Sequence, residues 1–442
     1  MNPNVSRRQF LQRASLTAAG VWIGQSSFGK ISPNEKLNIA AIGTANRAAA
    51  DIHPCAATEN IVALCDVDSN YLAAAKARYP GAKTYTDYRK MLEQNDIDAV
   101  IVGTPDHMHA VATVAALKSG RHVYCEKPLT HTVSEARIVA ETAKKHGMIT
   151  QMGNQIHASN NYHRVVESIQ AGVIGAVREV HVFVDVIYTA NARPAGAPVP
   201  ATLDWEQWVG PAQFRPYSPS YVPAAWRNYW EFGGGTMSDF GCHYMDLPFW
   251  ALNLRHPTSV ETEGPPVNAE GTPIWMKAIY EFPQRGILHP VKMTWYHGQK
   301  DGQFQRPSQF ADLKLPETHR RRKINTPSGS GVLFVGEKGM LLSEYFKHTL
   351  FAENDANGRL IEVPGNDVER DHHQQWIHAI KNGGTPLSNF DYAGALTESV
   401  LLANASYRSS SKINWDPANL TAVNNAKAQE FIQHQYRKGW SL

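Results

Sequence analysis

Asp239 and His243 stand four residues apart, a spacing that puts both on one face of a helix. A carboxylate beside an imidazole suits removal of a proton from a hydroxyl while hydride leaves the same carbon. Asp246, three residues beyond His243, could be the relevant acid or a supporting partner, and an ordinary helical ion pair is the alternative use of the whole pattern. Lys127 is the third group of interest. A lone lysine is usually a solvated surface charge, but this one follows an apolar run and sits between Glu126 and Pro128, where its ammonium could orient a hydroxyl or reach a cofactor. No third ligand at convincing spacing accompanies Asp239 and His243, so no metal is expected. The four cysteines (Cys55, Cys65, Cys125, Cys242) lie far apart, and Cys65 and Cys125 fall in apolar runs, which fits buried free thiols better than a disulfide framework.

These groups need a scaffold, and the chain supplies one from Lys36 onward. Apolar runs at 37–42, 61–67, 99–102 and 122–125 alternate with amphipathic stretches such as 133–145. Strands alternating with helices argue for a parallel sheet of βαβ units with helices on both faces, the Rossmann arrangement. The first run ends in the turn Gly43-Thr44-Ala45-Asn46-Arg47, leading to Ala48. A dinucleotide fingerprint has glycine at the positions of Gly43, Ala45 and Ala48, and only the first is kept. Gly43 can make the tight turn, Ala45 adds a methyl where backbone should approach a pyrophosphate, and the amides of the following helix remain an anion site. Asp66 lies 23 positions after Gly43, close to the spacing of the carboxylate that binds adenosine ribose hydroxyls. That carboxylate repels a 2′-phosphate and Val67 offers no cation, so the expected cofactor is NAD rather than NADP.

Length and composition agree with two domains. A chain of 442 residues is long for one, and its net charge of +3 leaves no basic footprint for nucleic acid. Its 11 Trp and 17 Tyr could stack on sugar faces or simply fill cores. At the N-terminus, Ser6-Arg7-Arg8-Gln9-Phe10-Leu11 precedes a short, mildly apolar stretch from Ala14 to Ile23, the pattern of a twin-arginine export leader for folded proteins. That stretch is too short to span a bilayer stably. No Ala-x-Ala cleavage site follows it. The protein is therefore expected in the periplasm, or held at the membrane by an uncut leader, with no membrane span in its mature part.

Three further segments carry a resemblance. Thr104-Pro105-Asp106-His107-Met108-His109 follows one strand, Cys125-Glu126-Lys127-Pro128 another, and Gly233-Gly234-Gly235-Thr236-Met237-Ser238-Asp239-Phe240-Gly241-Cys242-His243 enters a helix. In this order they resemble the Gfo/Idh/MocA oxidoreductases, named for glucose–fructose oxidoreductase and inositol dehydrogenase, across essentially the whole chain after Lys36. The missing fingerprint glycines are the departure. The resemblance implies an α/β fold: an N-terminal Rossmann sheet, then a C-terminal α/β domain with an open, largely antiparallel sheet. It implies Lys127, Asp239 and His243 as the catalytic set, with His243 the favoured acid/base. Cofactor contacts are expected from Gly43 to Arg47, Asp66, Thr104, Pro105, His107, His109, Glu126, Lys127 and Asn154.

The expected division is a leader and linker over 1–35, an NAD-binding domain over 36–155 and a substrate domain over 156–442. In the last, a helix is expected from about Tyr162 to Ala171, strands over 177–187, 276–282 and 291–296, a strand and turn over 331–339, and helices over 371–381 and 389–407. One helix, Met237 to Asn253, should pack against the Rossmann half, and the Pro-rich stretch from Ala190 to Pro223 should wrap the surface. Trp226, Arg227, Tyr229 and Trp230 lead into the catalytic helix; they fit a sugar subsite and equally fit core packing. His157, Tyr296 and His297 are weaker wall candidates. The reading that follows is an NAD-dependent oxidoreductase acting on a ring carbon of a sugar or glycoside, with the cofactor tightly held and a homo-oligomeric assembly. One branch of the resembled family, glycoside hydrolase family 109, uses NAD transiently to cleave glycosides and is the second reading. A non-catalytic glycan-binding protein is the third.

Overall fold

The computed structural model describes residues 35–311, 313, 329–352, 371–433 and 435–442. The arginine pair of the expected leader lies outside them.

Six short strands form a wholly parallel sheet: β1 (Asn38–Ile42), β2 (Asn60–Cys65), β3 (Lys83–Tyr85), β4 (Ala99–Val102), β5 (His122–Glu126) and β6 (Thr150–Gly153). Their order is β3-β2-β1-β4-β5-β6. The order reverses between β1 and β4, the topological switch where such sheets open a crevice at their carboxyl ends. Gly43 turns the chain there at φ +85°, and a Cβ on it would lie 2.9 Å from the Gly103 carbonyl oxygen. The third fingerprint glycine has been relocated rather than lost. A Cβ on Gly103 would meet the Ala48 Cβ at 2.6 Å, so the bare backbone after β4 lets an alanine helix approach as closely as a glycine would.

The second sheet is mixed and mostly antiparallel. Its strands are β7 (Val177–Val184), β8 (Ser259–Glu263), β9 (Trp275–Phe282), β10 (Val291–Lys300), β11 (Gln303–Phe304), β12 (Gly331–Gly336), β13 (Gly339–Ser343), β14 (His348–Ala352), β15 (Ile413–Asp416) and β16 (Thr421–Ala422). The order is β14-β13-β12-β7-β10-β9-β8-β15-β16, with β11 on β10; only β7 and β10 run parallel within it. Its helices include Asn160–Gln170 and the long Phe390–Ser409. The latter joins the two halves: Glu398 on it takes both arms of Arg137 (2.8 and 2.9 Å), which belongs to the helix Val133–His146.

Two expectations are corrected here, and one helix docks where the sequence had not placed it. The helix expected over 237–253 is two, Gly235–Tyr244 and Asp246–Ala251. Pro248 explains the break, since it has no N–H for the carbonyl of Tyr244 and its ring clashes there. The helix His372–Asn382, from the C-terminal part of the chain, docks on the Rossmann sheet: Trp376 and Ile377 share a core with Leu37, Ile39, Ile101 and Tyr124. The Pro-rich stretch also builds a core. Trp205, Trp208, Tyr217 and Tyr221 cluster with Trp226, Tyr229 and Phe232, and Leu203 bridges to Asp68 beside the Rossmann crevice. All four cysteines are free and buried.

Candidate active site

A cavity of about 420 Å³ opens at the switch point, within the usual range for small-molecule sites. At one end lies Asp66, at the carboxyl end of β2. Its Oδ2 accepts from the Thr44 backbone and hydroxyl (2.8 Å each) and its Oδ1 from the Asp68 amide (3.0 Å). Burial still pushes the carboxyl above its ordinary range. Thr44, Ala45, Asn46 and Arg47 form the neighbouring wall. Asn46 holds φ +52°, and the helix Arg47–Ala56 that it precedes has no side-chain cap. Its first amides therefore stay open to an anion.

At the other end three charges converge. Lys127, delivered by the turn after β5, donates from Nζ to Asp239 Oδ1 (2.6 Å) and to the Asp239 carbonyl (2.9 Å). Arg227 donates from Nε to the same Oδ1 (3.0 Å), with its guanidinium 4.2 Å from the centre of the Trp226 ring. Burial alone would raise the Asp239 pKa, but Lys127 and then Arg227 overcome it and hold the carboxylate at about 2. Burial likewise pulls Lys127 down, and Asp239 and Glu126 more than offset it, leaving its pKa above the ordinary lysine value.

Asp106 completes this end and is the residue that sequence reasoning missed. It lines the same cavity at the start of the helix Asp106–Lys118. Burial raises its pKa to about 8 against the pull of Arg227, so it is largely protonated at neutral pH and can donate as well as accept. Its place in the Thr-Pro-Asp sequence was the available signal. Leu203, Trp208, Val222 and Pro223 of the Pro-rich stretch, and Tyr188, were missed wall residues too.

Between the two ends, Glu126 sits in a buried polar network. Its carboxylate accepts from Arg47 Nε (3.0 Å) and Gln155 Nε2 (2.6 Å). Arg47 also reaches Asp51 (2.9 Å), which meets His373 Nε2 at 3.0 Å. Burial, reinforced by Asp51, moves the Glu126 carboxyl up to about 7.

His243 is one turn beyond Asp239 on the same helix, as expected, yet it does not bond to it. The ring is half-buried beside Tyr345 and Phe240, outside the wall of the main cavity, and its Nδ1 has no hydrogen-bond partner. Burial and then Lys127 lower its pKa to about 3, so it is a neutral imidazole able to accept a proton.

Other expected site residues turn elsewhere. His107 meets the Trp208 carbonyl (2.9 Å) between the Trp208 and Phe232 rings. His109 spans the carbonyls of Pro128 (2.7 Å) and Thr104 (2.8 Å), tying the two motif loops together. Neither lines the cavity, although Thr104 and Pro105 do. Asn154 is fully buried outside the wall, with both amide atoms unpartnered. Tyr229 packs on Tyr221, and Trp230 donates to the Asn268 carbonyl (3.0 Å); both are core residues, so of the aromatic candidates only Trp226 faces the cavity. Tyr296 sits 3.2 Å from His181 Nδ1, and the ring of His297 is engaged by Trp295 (2.8 Å). Asp246 bonds His157 Nδ1 (2.8 Å) rather than His243.

A parallel sheet with a cavity at its switch point, closed on the far side by the Pro-rich stretch, by Trp226 and Arg227 and by Asp239 of the helix Gly235–Tyr244, defines a two-domain dinucleotide-binding oxidoreductase fold. Residues 37–154 match the NAD-binding Rossmann fold of the GFO_IDH_MocA oxidoreductase family, and residues 182–288 match its C-terminal alpha/beta domain, together about half of the chain. The chain belongs to the Gfo/Idh/MocA oxidoreductase family. It is 33% identical over 123 residues to inositol 2-dehydrogenase of Salmonella typhimurium, covering 27% of this chain and 37% of that protein. It is 28% identical over 206 residues to an alpha-N-acetylgalactosaminidase of Shewanella oneidensis, covering 39% of this chain and 44% of that one. These matches thus span well under half of either relative. The WlbA dehydrogenase of Bordetella pertussis, solved with NADH and UDP-GlcNAcA, shares the fold with a TM-score of 0.60 at 19% identity, over 86% of this chain and 99% of that one.

Proposed function

We propose that the protein is an enzyme that binds NAD tightly and moves a hydride at a ring carbon of a sugar or glycoside. The observation that carries this reading is the Lys127–Asp239–Arg227 cluster at one end of a cavity whose other end is Asp66. Asp66, with one Oδ1 lone pair still free, suits ribose hydroxyls, and the uncapped helix after Asn46 suits a pyrophosphate; among the described residues no cation pairs with Asp66 to favour a 2′-phosphate, which supports NAD over NADP. When bound, NAD supplies the hydride acceptor.

The remaining work belongs to the chain. Lys127 orients a substrate hydroxyl and favours its deprotonation, Asp239, itself anchored by Arg227, holds that ammonium in place, and neutral His243 takes the proton. Asp106 and Trp226 contact the sugar.

The match to an alpha-N-acetylgalactosaminidase favours a second reading. Oxidation of one carbon acidifies the neighbouring C–H; loss of that proton expels the leaving group, and water addition and re-reduction follow with no net redox change. Freshly purified protein, denatured, should release NAD rather than NADP by mass spectrometry. Incubation with a glycoside panel and no added electron acceptor separates the two readings. A dehydrogenase stops after about one reduced cofactor per site, whereas the elimination route releases free sugar over many turnovers and incorporates solvent deuterium beside the oxidised carbon. Absence of any bound dinucleotide would defeat both.

We also propose, on the Ser6-Arg7-Arg8 pattern alone, export by the twin-arginine route, and a homo-oligomeric assembly. Replacing Arg7 and Arg8 with lysine should retain a reporter fusion in the cytoplasm. Among the described residues no helix is long and apolar enough to cross a membrane.

A further inference from the structure

A second cavity, of about 260 Å³, shares no lining residue with the first. The two are linked by one stretch of chain: Trp226 and Arg227 line the active-site cavity, while Trp230, Gly233 and Gly234 line this one, just before the helix that carries Asp239 and His243.

Its distinguishing group is Arg408, from the helix Phe390–Ser409. The guanidinium lies over two rings, 5.1 Å from the centre of Trp230 and 4.2 Å from that of Phe431. Burial lowers its pKa to about 10, with Glu231 the only charge pulling it back up. That carboxylate is engaged elsewhere, by Arg215 (2.9 Å) and the Gln213 amide (2.8 Å). Among the described residues no carboxylate or carbonyl accepts a hydrogen bond from Arg408, although a guanidinium carries five donors. Both contacts are to apolar rings, so the N–H donors of the group are left for a carboxylate, which can take them bidentately.

A second polar atom on the same wall is also unmet. Asn404 donates from Nδ2 to the Gly234 carbonyl and the Ser238 hydroxyl (3.0 Å each), but its buried Oδ1 has no partner. A buried polar atom left unpaired costs free energy that a ligand donor would recover. The wall therefore asks for one anionic group at Arg408 and for hydroxyl donors elsewhere. Glu231 and Glu430 on the same wall disfavour an anion of higher charge, such as phosphate.

We propose that this cavity is a binding site for a small hydroxycarboxylate of sugar-acid type, its carboxylate on the Arg408 edge and a hydroxyl donating to Asn404 Oδ1. The assignment is independent of the chemistry proposed for the first cavity.

Calorimetric titration of the full chain with sodium D-gluconate, acetate and inorganic phosphate tests it. Gluconate should bind more tightly than acetate or phosphate, and Arg408→Gln should weaken it at least about tenfold, the scale of a lost charge-assisted pair. Gluconate binding that is absent, or undiminished in Arg408→Gln, overturns the site. Phosphate binding tighter than gluconate overturns the ligand class. Should Arg408→Gln fail to fold, the unsubstituted protein still decides the matter. Gluconate should slow phenylglyoxal modification of Arg408 severalfold while leaving the exposed Arg78 unaffected, as read by peptide mass spectrometry; equal rates with and without gluconate overturn the proposal.

Discussion

Two aspartates seven residues apart, Asp239 and Asp246, each have a histidine to consider, and they use it in opposite ways. Asp246 and His157, 89 residues apart, are bonded at 2.8 Å, with Tyr392 donating to the same carboxylate (2.6 Å) and the His157 ring stacked 4.1 Å from Trp250. Asp239 and His243 share a helix face, yet Asp239 spends its carboxylate on Lys127 and Arg227 and leaves the His243 Nδ1 without a partner. The Asp246–His157 pair is buried and directly bonded, although His157 Nε2 is also without a partner. Asp239 and His243 make no bond to each other, and the His243 ring stays neutral under burial and the charge of Lys127. The difference lies in where each carboxylate makes its bonds: Asp246 to a histidine and a tyrosine in the core, Asp239 to two cations that line a cavity.

Breaking the two regions should give separable results. Asp239→Asn strips the anion from between Lys127 and Arg227, and kcat/KM should fall by about 10³-fold, within the range for losing positioned proton-transfer and electrostatic groups. A loss of under tenfold in steady-state assays would remove Asp239 from the machinery. Asp246→Asn should do the reverse. Chemical denaturation should show a loss of about 3 kcal/mol, the cost of breaking a buried, multiply bonded carboxylate, while kcat of the folded enzyme changes only severalfold. Equal damage to activity would merge the two aspartates into one site.

His243→Asn sharpens the contrast. Turnover should fall about 100-fold with bound NAD retained and stability changed by less than about 1 kcal/mol, because the ring makes no bond that folding depends on. Retained dinucleotide is read by mass spectrometry and stability by denaturation.

The pH dependence of stability turns on Asp106. Its folded pKa of about 8 lies above the ordinary 3.8, so the folded protein keeps a proton that the unfolded chain releases. Stability is then undiminished below pH 3.8 and is lost progressively as pH rises through 8, levelling beyond it. Asp106→Asn, which cannot ionise, should gain Tm relative to the unsubstituted protein between pH 5 and pH 8. A Tm difference that stays constant across that range would return Asp106 to the ordinary aspartate value.

Much of the scaffold was legible in the sequence because periodic elements announce themselves. The alternation of apolar runs and amphipathic stretches fixes the parallel sheet, and the ends of β1, β2 and β5 place Gly43, Asp66 and Lys127 where a crevice must open. The four-residue spacing puts Asp239 and His243 on one face. What it could not reveal lies where no period governs direction. Ala225–Asn228 forms a single 3₁₀ turn, too short to show a period, so nothing local decides that Trp226 and Arg227 face the first cavity while Tyr229 packs on Tyr221 and Trp230 lines the second. His107 and His109 look like ligand residues in a motif, and only the packed loops show them holding carbonyls. Asp106 was invisible as a proton donor because its burial, and the charges of Lys127, Arg227 and Asp239 around it, come from segments far apart in the chain. Sequence determines which groups are available and which face of a helix or strand they share; tertiary structure alone decides whom they meet and how dry the meeting place is, because desolvation and Coulomb energy depend on separation in space rather than along the chain.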